Sequence, residues 1–90
     1  MDAEKLNQCI GELTLALMYL NRFKERNDLC WRAWKGYDFD ALGRLKDNGL
    51  IYDSSHRSKS VGLSEEGIAK AKEILGKLDI ADTDEPTEEK

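Results

Sequence analysis

The chain has 90 residues, of which 40% are hydrophobic and 36% charged, and its formal net charge is −4 at pH 7. This length supports one small hydrophobic core and excludes two independent ones. The composition excludes a wholly disordered chain, and the longest apolar run, Leu13 to Leu20, is much shorter than the roughly 18 residues of a membrane-spanning helix. The first residues do not resemble a secretory signal, so we expect a cytoplasmic protein.

The acidic charge is concentrated at the C-terminal end of the chain. Residues 79–90 contain six carboxylates and a single lysine, which is typical of a solvated, disordered chain end. We therefore expect a domain over residues 1–78 and a disordered acidic tail over residues 79–90. With two cysteines and one histidine, the chain has too few ligands for a disulfide scaffold or a structural zinc site. No metal, cofactor or small-molecule substrate is inferred.

The first element in chain order is a long amphipathic helix, expected from Ala3 to Phe23 with Asp2 as its N-cap. Its leucine-rich stripe repeats at spacings of three and four residues, which predicts that this side faces the core. The stripe consists of Leu6, Ile10, Leu13, Leu17 and Leu20. A second apolar patch, on another side of the helix, consists of Leu15, Met18 and Tyr19. Either the C-terminal helix or a partner chain covers this patch, and we favour a second copy of the chain, forming a homodimer.

Basic and aromatic residues dominate the next segment, from Lys24 to Tyr37. The spacing of Trp31 and Trp34 fits one side of a helical turn, whereas residues 29–32 fit a short strand equally well. We expect one tryptophan to pack against the core and the other, Trp34, to be available to a partner.

The second helix follows, with Asp38 as its N-cap and Gly49 as its C-terminal stop. Its spacing predicts a buried side formed by Phe39, Leu42 and Leu45. Alternating runs at residues 51–53 and 60–63, which flank a polar loop, predict a β-hairpin. Ser64 then caps a third helix. The buried side of that helix is expected to consist of Ile68, Ala71, Leu75 and Leu78.

This order of elements, from the run Ala41-Leu42-x-Arg44-Leu45 through the polar hairpin to the third helix, resembles the winged-helix pattern of many small bacterial regulators. Residues 32–40, which read RAWKGYDFD, are similar to a family of small bacterial proteins known only as a domain of unknown function. The resemblance covers about residues 10–78. It implies an α+β, winged-helix-like fold with a long N-terminal helix, a second helix, a β-hairpin wing and a C-terminal helix, but it implies no established activity. Because the segment before the second helix is short, we expect a degenerate helix-turn-helix.

Two functions are consistent with this interpretation. The first, favoured by analogy with the fold, is a DNA-associated regulator or accessory factor. Its candidate DNA contacts are Arg32, Lys35, Arg44, His56, Arg57 and Lys59. However, Asp38 and Asp40 lie at the end of the second helix that would enter the major groove, where their carboxylates would face phosphates.

The alternative is a protein-interaction or dimerisation module that has the winged-helix shape but does not read DNA. Its candidate contact surface is formed by Leu15, Met18, Tyr19 and Trp34. We expect neither function to be enzymatic and assign no catalytic residues, because the only imidazole, His56, lies in a polar loop without an evident nucleophile to activate.

Overall fold

The computed structural model describes residues 2–24, 30–53 and 59–79. Within these ranges the elements are α1 (Ala3–Leu20), β1 (Arg32–Trp34), α2 (Phe39–Asp47), β2 (Ile51–Tyr52), β3 (Ser60–Leu63) and α3 (Glu65–Lys77). The strands form one antiparallel sheet in the order β1-β3-β2. The fold is therefore α+β and winged-helix-like, with β2 and β3 as the wing. In the described part of the chain between α1 and α2 there is a strand instead of a helix.

The three predicted N-caps are confirmed. In each helix the side-chain oxygen of the cap accepts a hydrogen bond from the backbone N–H three residues further on, which satisfies one amide that the helix cannot pair internally. The pairs are Asp2 with Lys5 at 2.8 Å, Asp38 with Ala41 at 3.0 Å, and Ser64 with Gly67 at 2.9 Å. Gly49 has a positive φ of 75° just after α2, as expected for a glycine that ends a helix.

Helix α1 ends at Leu20, earlier than the predicted end at Phe23. The backbone N–H and C=O groups of Phe23 exchange hydrogen bonds with those of Arg32, both at 2.9 Å. Because such a bridge requires an extended backbone, the helix cannot continue through Phe23. Of the two interpretations of the tryptophan segment, the strand is therefore the one observed, starting at Arg32.

The sheet has one buried face and one outward face. Ala33 and Val61, which are directly paired, are both buried, whereas Trp34 and Tyr52 are exposed on the other face. The ring of Tyr52 lies across Gly62, where a Cβ atom would collide with it. A glycine at this position is therefore needed for the aromatic ring to lie flat on the sheet.

The side of α1 that packs into the core is opposite to the predicted one. Leu15, Met18 and Tyr19 are at most 2% exposed, and they share one cluster with buried residues of α3 and the sheet. The five stripe residues from Leu6 to Leu20 are each between 39% and 49% exposed. Two expectations are therefore wrong: the stripe does not face the core, and Leu15, Met18 and Tyr19 are not available to a partner. The C-terminal helix, left open as the alternative, covers the patch.

The core-facing side of α1 also carries small side chains. Gly11, Thr14 and Ala16 are buried beside the core-facing residues. The hydroxyl of Thr14 donates to the Ile10 carbonyl at 2.6 Å, so its polar group is satisfied within the helix. Both sides of α1 are apolar, and the side with small residues is the one that is packed.

Two other predicted core residues lie outside the core. Phe39 is 86% exposed, because α2 packs through Ala41 and Leu45, which are spaced by one helical turn. Leu78 is 48% exposed, because it is the C-cap of α3 and follows the last helical turn. The remaining predicted residues of α3 pack as expected, with Ala71 and Leu75 buried and Ile68 partly buried against them.

Candidate functional site

The most prominent surface of the described residues is the exposed stripe of α1, which we call the α1 face. It consists of Leu6, Ile10, Leu13, Leu17 and Leu20. Because helical residues three and four positions apart are neighbours, these side chains form one continuous apolar strip. A helix of 18 residues is about 27 Å long, and the strip extends along most of it.

No charged side chain interrupts the α1 face. The charged residues of α1 are Glu4, Lys5 and Glu12, and with 3.6 residues per turn each of them lies roughly 100° or more from the centre of the strip. Glu12 instead pairs with Lys70 of α3, with 3.8 Å between the carboxylate oxygen and Nζ. The α1 face is therefore bordered by uncharged residues, in contrast to an ordinary solvated helix surface.

The α1 face was visible in the sequence, but its role was misinterpreted. Its residues follow spacings of 4, 3, 4 and 3, which is a repeat of seven residues. A strict repeat of this kind gives the narrow seam of a helix pair, whereas a core-facing helix has a wider apolar side. The narrow width of this strip is the sequence feature that differs from an ordinary core-facing side.

Two of the candidate DNA contacts already have partners within the domain. Arg32 donates from Nε to the Ser60 hydroxyl at 2.9 Å and from Nη2 to the Ser60 carbonyl at 3.1 Å. Lys35 pairs with Asp53, with 2.9 Å between Nζ and the carboxylate oxygen. Using either cation to bind phosphate would compete with these contacts.

The two other candidate cations that the structure describes belong to different parts of the fold. Arg44 is exposed on α2, beside a groove of about 410 Å³ that also includes Glu4, Glu12 and Lys70. Lys59 is exposed at the start of β3. His56 and Arg57 lie outside the described residues.

The two tryptophans differ in burial. Trp31 is partly buried against the core, whereas Trp34 is 55% exposed and stacks on Phe23 with 4.6 Å between ring centroids. Arg22 is buried, with its guanidinium carbon 4.0 Å from the Tyr19 ring centroid and 4.8 Å from that of Trp31. Arg22 is thus part of the packing, and Trp34 remains a candidate partner contact.

A second groove, of about 360 Å³, lies between α2 and the sheet. Its lining is largely apolar, with Tyr37, Leu42 and Ile51 on its walls and the Lys35–Asp53 pair among its polar groups. Among the described residues, no group of three or more histidine, cysteine, aspartate or glutamate side chains is arranged to hold a metal ion. In the same part of the chain, no helix is long and apolar enough to span a membrane.

A family profile described as a domain of unknown function, DUF6429, matches residues 6–81. The chain belongs to the DUF6429 family. It is 36% identical over 78 residues to uncharacterized protein y4hR of the bacterium Sinorhizobium fredii, a match that covers 87% of this chain and 93% of the relative. No solved structure matches the chain significantly. The region that matches DUF6429 includes the whole α1 face and all three strands.

Proposed function

We propose that this protein is a protein-interaction module that forms a homodimer through the α1 face, without catalytic chemistry and without reading DNA. The observation that carries the proposal is the exposure of five large apolar side chains, each between 39% and 49%, on one side of α1. Single exposed leucines are common on protein surfaces, but a continuous row of them favours a contact surface.

The area of the α1 face suits a small interface. From exposures of 39% to 49%, its five residues expose on the order of 400 Å² in total, which is the size of the largest apolar patch on a typical monomer, and such patches are often functional. Two copies would bury about 800 Å² from these side chains alone, and their flanking residues bring the total close to the ~1,000 Å² minimum of a specific interface. We therefore expect a reversible dimer of moderate affinity.

A second copy of the chain is a suitable partner, because the α1 faces of two copies can pack against each other. In a two-fold dimer the same patch is used on both subunits. A charged patch would repel its own copy, but the three charged residues of α1 lie away from the strip, so self-contact involves no like-charge repulsion there. The strict seven-residue repeat further supports a helix as the partner element.

The DNA-associated hypothesis has less support. Arg32 and Lys35 bind Ser60 and Asp53 within the domain, and the first turn of α2 is acidic, with Asp40 following the Asp38 cap. DNA affinity depends mainly on clustered cations that neutralise phosphates. Two of the six candidate cations are engaged within the domain and the helix end expected in the major groove is acidic, so we favour the interaction module.

The proposal is tested by sedimentation equilibrium of the full chain and two matched variants. Leu13 at the centre of the α1 face and Leu78 at the end of α3 are each 48% exposed. We expect Leu13→Glu to raise the dimer Kd at least ~100-fold, because the carboxylate would be buried at the interface. Leu78→Glu makes the same chemical change outside the α1 face and should leave the Kd within about twofold.

Circular dichroism of both variants verifies that they fold. The proposal is refuted if the unmodified chain is monomeric at millimolar concentration, or if Leu13→Glu and Leu78→Glu dimerise equally well. An electrophoretic shift of duplex DNA at micromolar protein and physiological salt would instead favour the DNA-associated function.

A further inference from the structure

We infer that the two α1 helices of the dimer run antiparallel, with the two-fold axis between Ile10 and Leu13, so that the full length of each helix is used. The inference rests on the proposed homodimer and specifies the orientation and register of its two copies. The spacing of the seam is compatible with this arrangement, and two features of α1 favour it over a parallel pair: the sizes of the end residues and the direction of the helix dipoles.

The spacing of the seam reads the same in both directions. With Ala3 included, the seam positions are 3, 6, 10, 13, 17 and 20, and the steps between them are 3, 4, 3, 4 and 3. Two copies in opposite directions therefore match at every position. The matched pairs are Ala3 with Leu20, Leu6 with Leu17, and Ile10 with Leu13. Their common centre is also the midpoint of the helix, which extends from Ala3 to Leu20.

The sizes of the end residues favour this arrangement over a parallel one. In the antiparallel pair, the small Ala3 lies opposite the large Leu20 at both ends of the interface. In a parallel pair, Ala3 would face Ala3 and leave space at one end, while two Leu20 side chains would meet at the other. Because interfaces pack as densely as protein interiors, the more even layers of the antiparallel pair are favoured.

The helix dipoles favour the same orientation. The backbone of α1 carries a partial positive charge at its N-terminal end and a partial negative charge at its C-terminal end. Antiparallel pairing places the N-terminal end of one helix beside the C-terminal end of the other, whereas parallel pairing would place like dipole ends together.

Disulfide trapping in the full-length chain tests the orientation. Leu6→Cys and Leu17→Cys are made separately, each combined with Cys9→Ser and Cys30→Ala to remove the native thiols. Each protein is oxidised alone, and the two are also oxidised as a mixture in which one of them carries a mass tag. The antiparallel pair predicts a mixed disulfide between Leu6→Cys and Leu17→Cys as the main product, and little disulfide when either variant is alone.

The other outcomes separate this inference from the proposed function. Disulfides within each variant alone, without the mixed product, would establish a parallel dimer and overturn the inference while leaving the homodimer intact. Sedimentation of the unmodified chain as a dimer without any trapping in α1 would overturn both the orientation and the α1 face as contact surface. A monomer in sedimentation would refute the homodimer itself.

Discussion

Leu15 and Leu17 are two positions apart on α1, and the same substitution at each should affect different properties. At Leu15 it should lower the free energy of unfolding, and at Leu17 it should weaken dimerisation. Leu15 is fully buried, so Leu15→Ala removes packed methyl groups and leaves a cavity. Such changes cost about 3 kcal/mol of the free energy of unfolding. Leu17 is 49% exposed, so Leu17→Ala should cost the monomer about 1 kcal/mol or less.

In the proposed dimer, Leu17 would contribute through its exposed half. Burying that half is worth about 1 kcal/mol per copy, or about 2 kcal/mol for the pair, so Leu17→Ala should raise the Kd about 30-fold. Leu15→Ala should leave the Kd of the folded protein nearly unchanged, because Leu15 does not reach the α1 face. The two alanine variants thus separate folding from association.

Urea unfolding followed by far-UV circular dichroism, over a hundredfold range of protein concentration, measures both effects. Because dimerisation stabilises only the folded chain, the unmodified protein should gain stability as concentration rises. Leu17→Ala should lose most of this gain. Leu15→Ala should keep the gain, but its urea midpoint should be lower at every protein concentration. The orientation of α1 is refuted if Leu17→Ala destabilises the dilute protein as much as Leu15→Ala does.

Two further predictions concern the packing of the single chain. Gly67→Ala should destabilise the protein by about 2 kcal/mol, because the new Cβ would collide with a backbone carbonyl oxygen. Gly76→Ala, whose new Cβ meets nothing within 4 Å, should stabilise α3 by about 1 kcal/mol. Equal effects of the two substitutions in thermal unfolding would contradict the close approach at Gly67. Arg22→Met should cost about 1 to 2 kcal/mol, because it removes a guanidinium 4.8 Å from the Trp31 ring centroid. In a Trp34→Phe background the emission of Trp31 should shift as well, and an unchanged spectrum would contradict the stacking.

The elements of the fold could be predicted because their signals are local. A capping side chain such as Asp38 or Ser64 bonds to an amide only three residues away, so the interaction is contained in a few letters of the sequence. The alternation of the hairpin and the glycine that ends α2 are equally local. The α+β class and the order of the helices and wing follow from these signals.

The orientation of α1 could not be predicted in the same way, because it depends on what packs against the helix. Leu13 and Leu15 are similar residues on opposite sides of one amphipathic element, and periodicity alone does not distinguish them. The small residues Gly11 and Thr14 are buried on the Leu15 side, but the sequence alone does not show which side of α1 the other elements cover. Packing against the other elements therefore decided which side of α1 is buried, although the exposed stripe has the more regular apolar spacing.

Whether the candidate DNA contacts are available could not be predicted either, because it depends on partners that are distant in the sequence. Arg32 reaches Ser60, which is 28 positions away, and Lys35 reaches Asp53 across the sheet. A list of cations in a sequence cannot show that two of them are already engaged. Trp34, which belongs to the alternative protein-interaction surface, is exposed on the outward face of the sheet, and its role as a partner contact stays a prediction.

The shortness of the outer strands has a consequence for how molecules of this protein meet. The two strands at the edges of the sheet, β1 and β2, contain three and two residues, and β1 is further covered where Phe23 bridges Arg32. Such edges present few free amide and carbonyl groups to another chain, so the fold offers a poor template for continuous strand addition. A crowded solution of this protein should therefore resist growth into fibrils through its strand edges.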